Sequence, residues 1–444
     1  MGLSASVKQE PLNQSRGSNG EVANSRTLTE GPFTKPLKES FLKSSGWSQF
    51  DGLRSYPFLL LITLSVSATV VMFLAFPPLD PRSAWNDHFF YWGQANTWFG
   101  LNQPLRITSE VQGLLDLYRI EYYYEKANGT SQQPPYVYRV GVPLLAGLLG
   151  LALSLSSAFF VITISSFVLL GIASGWAAYR LSRSISVAAL ASVLSITAPG
   201  LSDFTRFYAM VDVPAMAITA VVLALLVCGR YSWALGVAGF IAPLVKETSI
   251  GLALMVALYM WLQGKGGWGK WIIATVPFVL SGVLRMLVPV PAPPSLSELF
   301  VAGSPYESGL TFVEAFGFAF VLVIGILAPT VRSFTIASTP VFLSLIVVNS
   351  SVVASGPRIW LTVWPLLVVL GLCGWATSVT DKSLRCSVLV STLLGVILAN
   401  AVLLGNVDRI ALSVWLTITV ALIAWRLGVA QRRQQRAPQL QSPQ

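Results

Sequence analysis

Acidic and aromatic side chains stand together in a polar stretch, residues 79–139, that follows the first apolar segment of the chain. Its central run, 85–92, places Asp87 among aromatic residues that include Tyr91 and Trp92. A carboxylate here can take a proton from an attacking hydroxyl group when its geometry and pKa suit that task. Aromatic rings can stack on a polar ring of a ligand or anchor a protein in the lipid headgroup region. The run therefore predicts a surface that binds a polar substrate, with Asp87 as the base.

Asp87 and its neighbour His88 also have plain structural explanations. Asp87 can cap a short helix that begins at the aromatic run. His88 can carry a proton or bind a metal, but a solvated histidine in the membrane interface is the expectation. Because His88 is the only histidine of the chain, a zinc site built on several histidines is excluded. The three cysteines have no metal-like spacing, so no cofactor is identified and a divalent metal has no support.

Further ionisable residues recur near the ends of apolar segments. They are the acidic residues Asp203 and Asp212 and the basic residues Arg139, Lys246 and Arg358. A charge at membrane depth costs roughly 2.5–3.5 kcal/mol on insertion scales unless it pairs or lines a cavity. The acidic residues are therefore candidates for catalysis, and the basic residues are candidates for binding a phosphate. Salt bridges between helices and anchoring to lipid headgroups are the rival explanations.

The composition of the chain predicts the membrane as its environment. Its 444 residues are 54% hydrophobic and 11% charged, and the mean hydropathy is +0.66. A water-soluble protein of this size cannot bury so much apolar surface, whereas lipid can solvate it. Basic residues crowd both ends of the sequence, which places both termini in the cytoplasm by the positive-inside rule. A patterned basic face for nucleic acid is not evident in the sequence.

Long apolar runs predict an all-α polytopic protein with about twelve crossings. The runs are 57–77, 157–179, 185–200, 212–229, 232–245, 248–263, 270–289, 312–330, 334–350, 358–378, 386–404 and 409–427. The apolar run 140–153 is short and follows the polar stretch, so we expect a helix in the outer interface there. Two crossings share 232–263, where one long tilted helix is the alternative. The sequence from Pro243 to Glu247 favours a break, because proline and paired charges interrupt a helix.

These segments divide the chain into three parts. Residues 1–54 are polar and poor in apolar side chains, which is typical of a disordered cytoplasmic tail. Residues 55–430 form the transmembrane domain, and its outer loop, 79–156, carries interface helices. Residues 431–444 form a basic cytoplasmic tail. The localisation expected from this arrangement is a multi-pass protein of the plasma or cytoplasmic membrane.

Four short segments give the chain a resemblance to polytopic glycosyltransferases of the GT-C class. Asp87 stands in the first outer loop, where that class keeps an acidic catalytic residue. The proline- and tyrosine-rich segment 134–145, which contains Tyr138 and Arg139, is similar to the interface segment before the second crossing. Asp203 to Asp212 matches a second outer loop that often holds another acid, and 244–249 resembles a short basic–acidic stretch between paired helices. Asp87 has no adjacent second acid, which differs from members with a paired acidic motif.

The resemblance implies a transfer of a sugar from a polyprenyl-phosphate donor at the outer leaflet. A hydroxyl group on a glycan, lipid or protein acceptor would attack the anomeric carbon with inversion, and Asp87 would be the base. Arg139, Lys246 and Arg358 would hold the donor phosphate. The substrate-binding residues on this view are Tyr91, Trp92, Tyr138 and Glu247, and the further acidic residues are Asp203 and Asp212.

Two other functions are compatible with many helices and buried charges. A secondary transporter or lipid flippase predicts broken helices near the middle of the membrane and short loops. A catalytically silent membrane scaffold predicts that Asp87 and Arg358 lie far apart with no shared cavity. The sequence favours the enzyme, because its charges cluster toward one face and one outer loop is long.

Overall fold

The computed structural model describes nine ranges of the chain: 55–78, 87–103, 139–198, 200–230, 233–264, 267–287, 320–349, 360–379 and 382–403. Within these ranges the protein is all-α and contains no strand. The helices are α1 Ser55–Ala75, α2 Asp87–Phe99, α3 Gly141–Gly150, α4 Leu155–Ser182, α5 Ile185–Ile196, α6 Leu201–Arg206, α7 Asp212–Val227, α8 Trp233–Val245, α9 Gly251–Leu262, α10 Trp268–Met286, α11 Phe320–Ile326, α12 Arg332–Asn349, α13 Trp364–Ser378 and α14 Lys382–Leu403. Short 3-10 turns cover Glu247–Ile250, Pro329–Val331 and Leu361–Val363.

The predicted apolar runs fold as helices wherever the structure describes them. Eleven of the twelve runs fall wholly or partly on a helix, and the twelfth, 409–427, lies outside the described residues. The interface segment predicted at 140–153 contains α3. The proposed tails, 1–54 and 431–444, also lie outside the described residues.

Three spans in the described ranges are long and apolar enough to cross a membrane: Tyr56–Ala75, Leu155–Ser182 and Leu361–Ser378. The other apolar helices compatible with membrane insertion are shorter. The 13 residues of α8 and the 12 of α9 extend about 20 and 18 Å at 1.5 Å per residue. Each is therefore shorter than a hydrocarbon core of about 30 Å.

The central helices pack around α4. This helix contacts α1, α5, α7 and α13, and α13 is buried along most of its length. The indole nitrogen of Trp364 donates a hydrogen bond to the carbonyl of Leu194, at 2.8 Å, which ties α13 to α5. The hydroxyl groups of Ser65 and Ser192 lie 2.9 Å apart and link α1 to α5. Apolar packing with a few satisfied polar contacts thus holds the framework together.

The break predicted inside 232–263 is present. Helix α8 ends at Val245, one 3-10 turn follows, and α9 begins at Gly251. Pro243 lies in the last turn of α8, and its missing N–H removes one helical hydrogen bond just before the break. The single long helix is therefore excluded.

Helices α8 and α10 pack on each other and run in the same direction, and α9, which connects them in the sequence, runs the opposite way. A Cβ atom at Gly236 would lie 3.0 Å from the carbonyl oxygen of Ile273, and Gly239 faces Phe278. The start of α8, the end of α9 and the start of α10 therefore lie at one end of this unit. Three tryptophans are exposed there: Trp233 (77%), Trp261 (68%) and Trp268 (87%).

Candidate functional site

Helix α2 carries the aromatic run and packs against α3. Its residues Tyr91 and Trp92 are buried in an apolar cluster with Val142 and Phe159. The sequence predicts that these two rings offer faces to a ligand or to the lipid interface. The structure instead packs them into the protein, because the apolar sides of α2, α3 and α4 close over them.

Tyr91 has a specific polar partner inside this cluster. Its hydroxyl oxygen accepts a hydrogen bond from Nη1 of Arg139, at 2.9 Å, and Arg139 itself is buried. A guanidinium group stays charged in proteins, so its burial requires such partners. Tyr91 therefore positions Arg139 and connects this cation to the helix that begins with Asp87.

Trp92 fixes the other end of α2. Its indole nitrogen donates to the carbonyl of Gln103 at 2.7 Å, and the side-chain oxygen of Gln103 accepts from the backbone N–H of Leu155, also at 2.7 Å. The side-chain oxygen of Asn96 accepts a further hydrogen bond from the backbone N–H of Gln103, at 2.8 Å. The end of α2 is thus held to the first turn of α4.

A second buried polar cluster joins three distant parts of the chain. The ammonium group of Lys246 donates to Oδ1 of Asp212 at 2.8 Å and to the hydroxyl of Thr362 at 3.3 Å. The side chains of Lys246 and Asp212 are only 4% and 1% exposed. Asp212 begins α7 and Lys246 follows α8, so each charge lies at the helix end whose macrodipole favours it.

This ion pair changes the roles expected for its two members. Asp212 is predicted as a catalytic acid and Lys246 as a phosphate ligand. In the structure the carboxylate of Asp212 compensates the ammonium group of Lys246 and fixes its position. Asp212 is therefore buried beside a cation, and its catalytic role stays a prediction.

The two buried cations belong to adjoining parts of the structure. Gly141, two residues after Arg139, packs against the end of α8: its Cβ would lie 3.1 Å from Cγ2 of Val245 and 3.2 Å from the backbone of Leu244. Val245 directly precedes Lys246 and shares one apolar cluster with Tyr91 and Val142. The N-terminus of α3 and the break after α8 thus bring Arg139 and Lys246 into one region.

His88 lies in an aromatic enclosure beside this region. Trp92 stacks on its ring with centroids 5.7 Å apart, Tyr208 meets it edge-on at 5.9 Å, and Phe159 lies at 6.3 Å. The side chain is 1% exposed, and neither ring nitrogen has a hydrogen-bond partner among the described residues. Burial lowers the pKa of His88 to about 3, so the ring is neutral at pH 7. The expectation of a solvated histidine is wrong, because α2 turns His88 into the apolar cluster.

Other predicted site residues are located only in part. Asp87 is the first residue of α2, Asp203 lies in α6, and Glu247 begins the 3-10 turn after Lys246; the side chains of these three lie outside what the structure describes. Tyr138 and Arg358 lie entirely outside the described residues.

Two further residues of this region, Thr362 and Tyr208, were not predicted from the sequence. Thr362 sits in an apolar segment, where a lone threonine gives no signal of contact with a lysine 116 positions earlier. Tyr208 lies in the non-helical segment before α7, and its only sequence cue is its place between Asp203 and Asp212.

Within the described ranges, no group of three or more His, Cys, Asp or Glu side chains is arranged to hold a metal ion. Comparison with known proteins adds no relative: no protein-family model matches the sequence, and no curated protein matches it.

Proposed function

We propose that this protein is a multi-pass membrane glycosyltransferase of the GT-C type. It transfers a sugar from a polyprenyl-phosphate donor to a hydroxyl group of a glycan, lipid or protein acceptor on the outer face of the membrane. The observation that supports the proposal is that Arg139 and Lys246, 107 positions apart in the sequence, come from segments that pack together, and that Tyr91 links Arg139 to α2, the helix that begins with Asp87. A cationic region next to an acidic residue suits a phosphate leaving group and an attacking hydroxyl.

In this proposal the buried cations bind the donor phosphate. Arg139 offers a planar donor group held by Tyr91, and Lys246 offers a point charge held by Asp212. Arg358 adds a third cation from the segment that precedes Thr362. Asp87 takes the proton of the acceptor hydroxyl, while Tyr138 and Glu247 contact the substrate and Asp203 adds a second acid.

In the proposed topology the protein lies in the plasma or cytoplasmic membrane. Both of its termini are in the cytoplasm. About twelve segments enter the membrane, and the pair α8–α9 enters from one side and turns at Lys246. The basic ends of the chain support this orientation. The outer loop then presents α2 and α3 at the outer interface.

The test is an assay of sugar transfer by purified protein in lipid nanodiscs, with a panel of polyprenyl-phosphate sugars as donors. We expect release of polyprenyl phosphate with the wild type and a loss of about 10²–10⁴-fold in rate for Asp87→Asn, the range for general base catalysis. Asp51→Asn, in the N-terminal tail, is the matched control and should leave the rate unchanged. Wild-type turnover by Asp87→Asn would remove Asp87 from the mechanism, and inactivity of the wild type with every donor would count against the proposed activity.

A lipid flippase or secondary transporter is the second candidate, and the break after α8 favours it. Short helix pairs that end at a buried charge are a feature of transporter sites. Proteoliposomes distinguish the two functions. Movement of an intact polyprenyl-phosphate sugar between leaflets without cleavage would support transport, and cleavage of the sugar–phosphate bond would support transfer.

A further inference from the structure

The two ring nitrogens of His88 have no hydrogen-bond partner among the described residues. Both nitrogens are buried, and the aromatic rings of Trp92, Phe159 and Tyr208 lie around the imidazole. Buried polar atoms in proteins nearly always have a hydrogen-bond partner, so each exception calls for an explanation. A phenylalanine would fill the same enclosure without this cost.

The chemical state of His88 determines which ligand it can bind. A neutral imidazole presents one N–H donor and one nitrogen acceptor in the plane of its ring. A hydroxyl group matches this pair, since it also donates and accepts. A phosphate at neutral pH chiefly accepts and is better bound by cations such as Arg139 and Lys246. The ring of His88 therefore suits the uncharged, hydroxylated part of a ligand.

The walls of the enclosure suit the same ligand. Aromatic rings pack against the apolar faces of polar rings, and Trp92, which is buried and stacks with His88 and Phe159, is the largest ring of the enclosure. Tyr208 is the one ring of this enclosure that lies outside a helix, and its carbonyl oxygen accepts a hydrogen bond from the hydroxyl of Thr163. The hydroxyl of Tyr208 lies 2.6 Å from that of Ser156, which is only partly buried. Ser156 is thus linked through this hydrogen bond to the ring that meets His88 edge-on.

We propose that His88 is a binding residue for a hydroxyl group of a sugar, which reaches the ring from the side of Ser156 and Tyr208. The identity of the ligand as a sugar rests on the proposed function. The protein then binds the two halves of its donor in different places, the phosphate at the buried cations and the sugar ring at His88.

The chain offers a clean measurement, because it contains a single histidine. Protein labelled with ¹⁵N-histidine and placed in nanodiscs gives the imidazole signals of His88 alone. We expect octyl α-D-mannopyranoside or octyl β-D-glucopyranoside to shift both ¹⁵N resonances, while geranylgeranyl phosphate and the sugar-free lauryldimethylamine oxide leave them in place. Resonances that respond to the phosphate and to neither glycoside, or to no probe at all, would overturn the proposal.

Substitutions give an independent readout. His88→Phe should fold at least as stably as the wild type but lose the rise in Tm that the bound glycoside produces, and His88→Asn, which keeps a donor and an acceptor, should retain part of it. Phe278→Leu, at a buried ring that packs against Gly239 outside the enclosure, is the control for altered aromatic packing and should keep the rise. A full glycoside-dependent rise in His88→Phe would show that His88 is structural only.

Both measurements read binding and need no turnover. A wild type that binds glycoside through His88 but transfers no sugar would refute the proposed function and leave this inference standing. If the wild type transfers sugar but the resonances of His88 respond to neither glycoside, the proposed function stands and this inference is refuted.

Discussion

The ion pair of Lys246 and Asp212 and the enclosure of His88 are both buried, but they differ in whether their polar atoms have hydrogen-bond partners. Lys246 has a carboxylate at 2.8 Å and the hydroxyl of Thr362 at 3.3 Å. His88 has aromatic rings around it and no described partner for either nitrogen. A buried charge must be compensated for the protein to fold, whereas a buried neutral ring can stay unsatisfied at modest cost. The first region therefore depends on its partners for stability, and the second leaves two buried polar atoms without a described partner.

The largest effect is expected from breaking the ion pair on one side. Lys246→Met leaves the carboxylate of Asp212 buried without its ammonium partner, which should destabilise the protein by about 3–5 kcal/mol. The double variant Asp212→Leu/Lys246→Met removes both charges and should recover most of that stability. Thermal unfolding in detergent, followed by circular dichroism, measures both. If the double variant melts no higher than Lys246→Met, the pair is not the source of the cost.

Acid should weaken the protein through His88. The folded pKa of about 3 lies below the ordinary value of 6.5, so below pH 6.5 the unfolded state binds a proton that the folded state does not. Stability is complete above that pH and falls by about 1.4 kcal/mol per pH unit as the pH drops toward 3, which is about 2 kcal/mol at pH 5. Melting curves of wild type and His88→Phe between pH 7.5 and 5 should therefore diverge, with the variant less sensitive to acid. Parallel curves would assign the acid sensitivity to other groups.

Tyr91→Phe tests the hydrogen bond between Tyr91 and Arg139. This contact is intermediate in character between the two regions, because it joins a neutral hydroxyl group to a cation. The variant removes one hydrogen bond to Arg139 and should cost about 1–2 kcal/mol. In the transfer assay we also expect weaker donor binding, seen as a higher KM, because Arg139 is less well positioned. Tyr259→Phe, in a stacked pair with Phe334 away from the site, is the matched control for KM. An unchanged Tm and KM in Tyr91→Phe would show that Tyr91 does not position the cation.

The smallest effect is expected at Thr362. Thr362→Val keeps the shape of the side chain and removes the hydroxyl 3.3 Å from Lys246, while Asp212 remains in place. A loss of about 0.5–1 kcal/mol is expected, as for a typical net hydrogen bond. Chemical or thermal unfolding resolves it when measured beside Thr377→Val, whose hydroxyl bonds within its own helix and to Thr330. A loss as large as that in Lys246→Met would mean that Thr362 shares the charge compensation equally.

The helices were predictable and the side-chain partnerships were not. Apolar runs of suitable length specify helices because backbone groups in an apolar medium must bond within the segment. Pro243 and the charges after it likewise predicted the break after α8. The pairing of Lys246 with Asp212 depends on how α7 and α8 pack, which periodicity does not encode. His88 shows the same limit: the aromatic run suggested an exposed surface, whereas the rotation of α2 turned that face inward.

The exposed tryptophans Trp233, Trp261 and Trp268 indicate how deep Lys246 would lie in a bilayer. In a bilayer, tryptophans at one level mark the boundary between hydrocarbon and water. Lys246 follows Trp233 by 13 positions, so it rises about 20 Å from that boundary within a core of about 30 Å. In a bilayer placed at that boundary, the backbone of Lys246 would lie about 10 Å beneath the far surface, and under the proposed function the phosphate of the donor would lie below the plane of its neighbouring lipid headgroups.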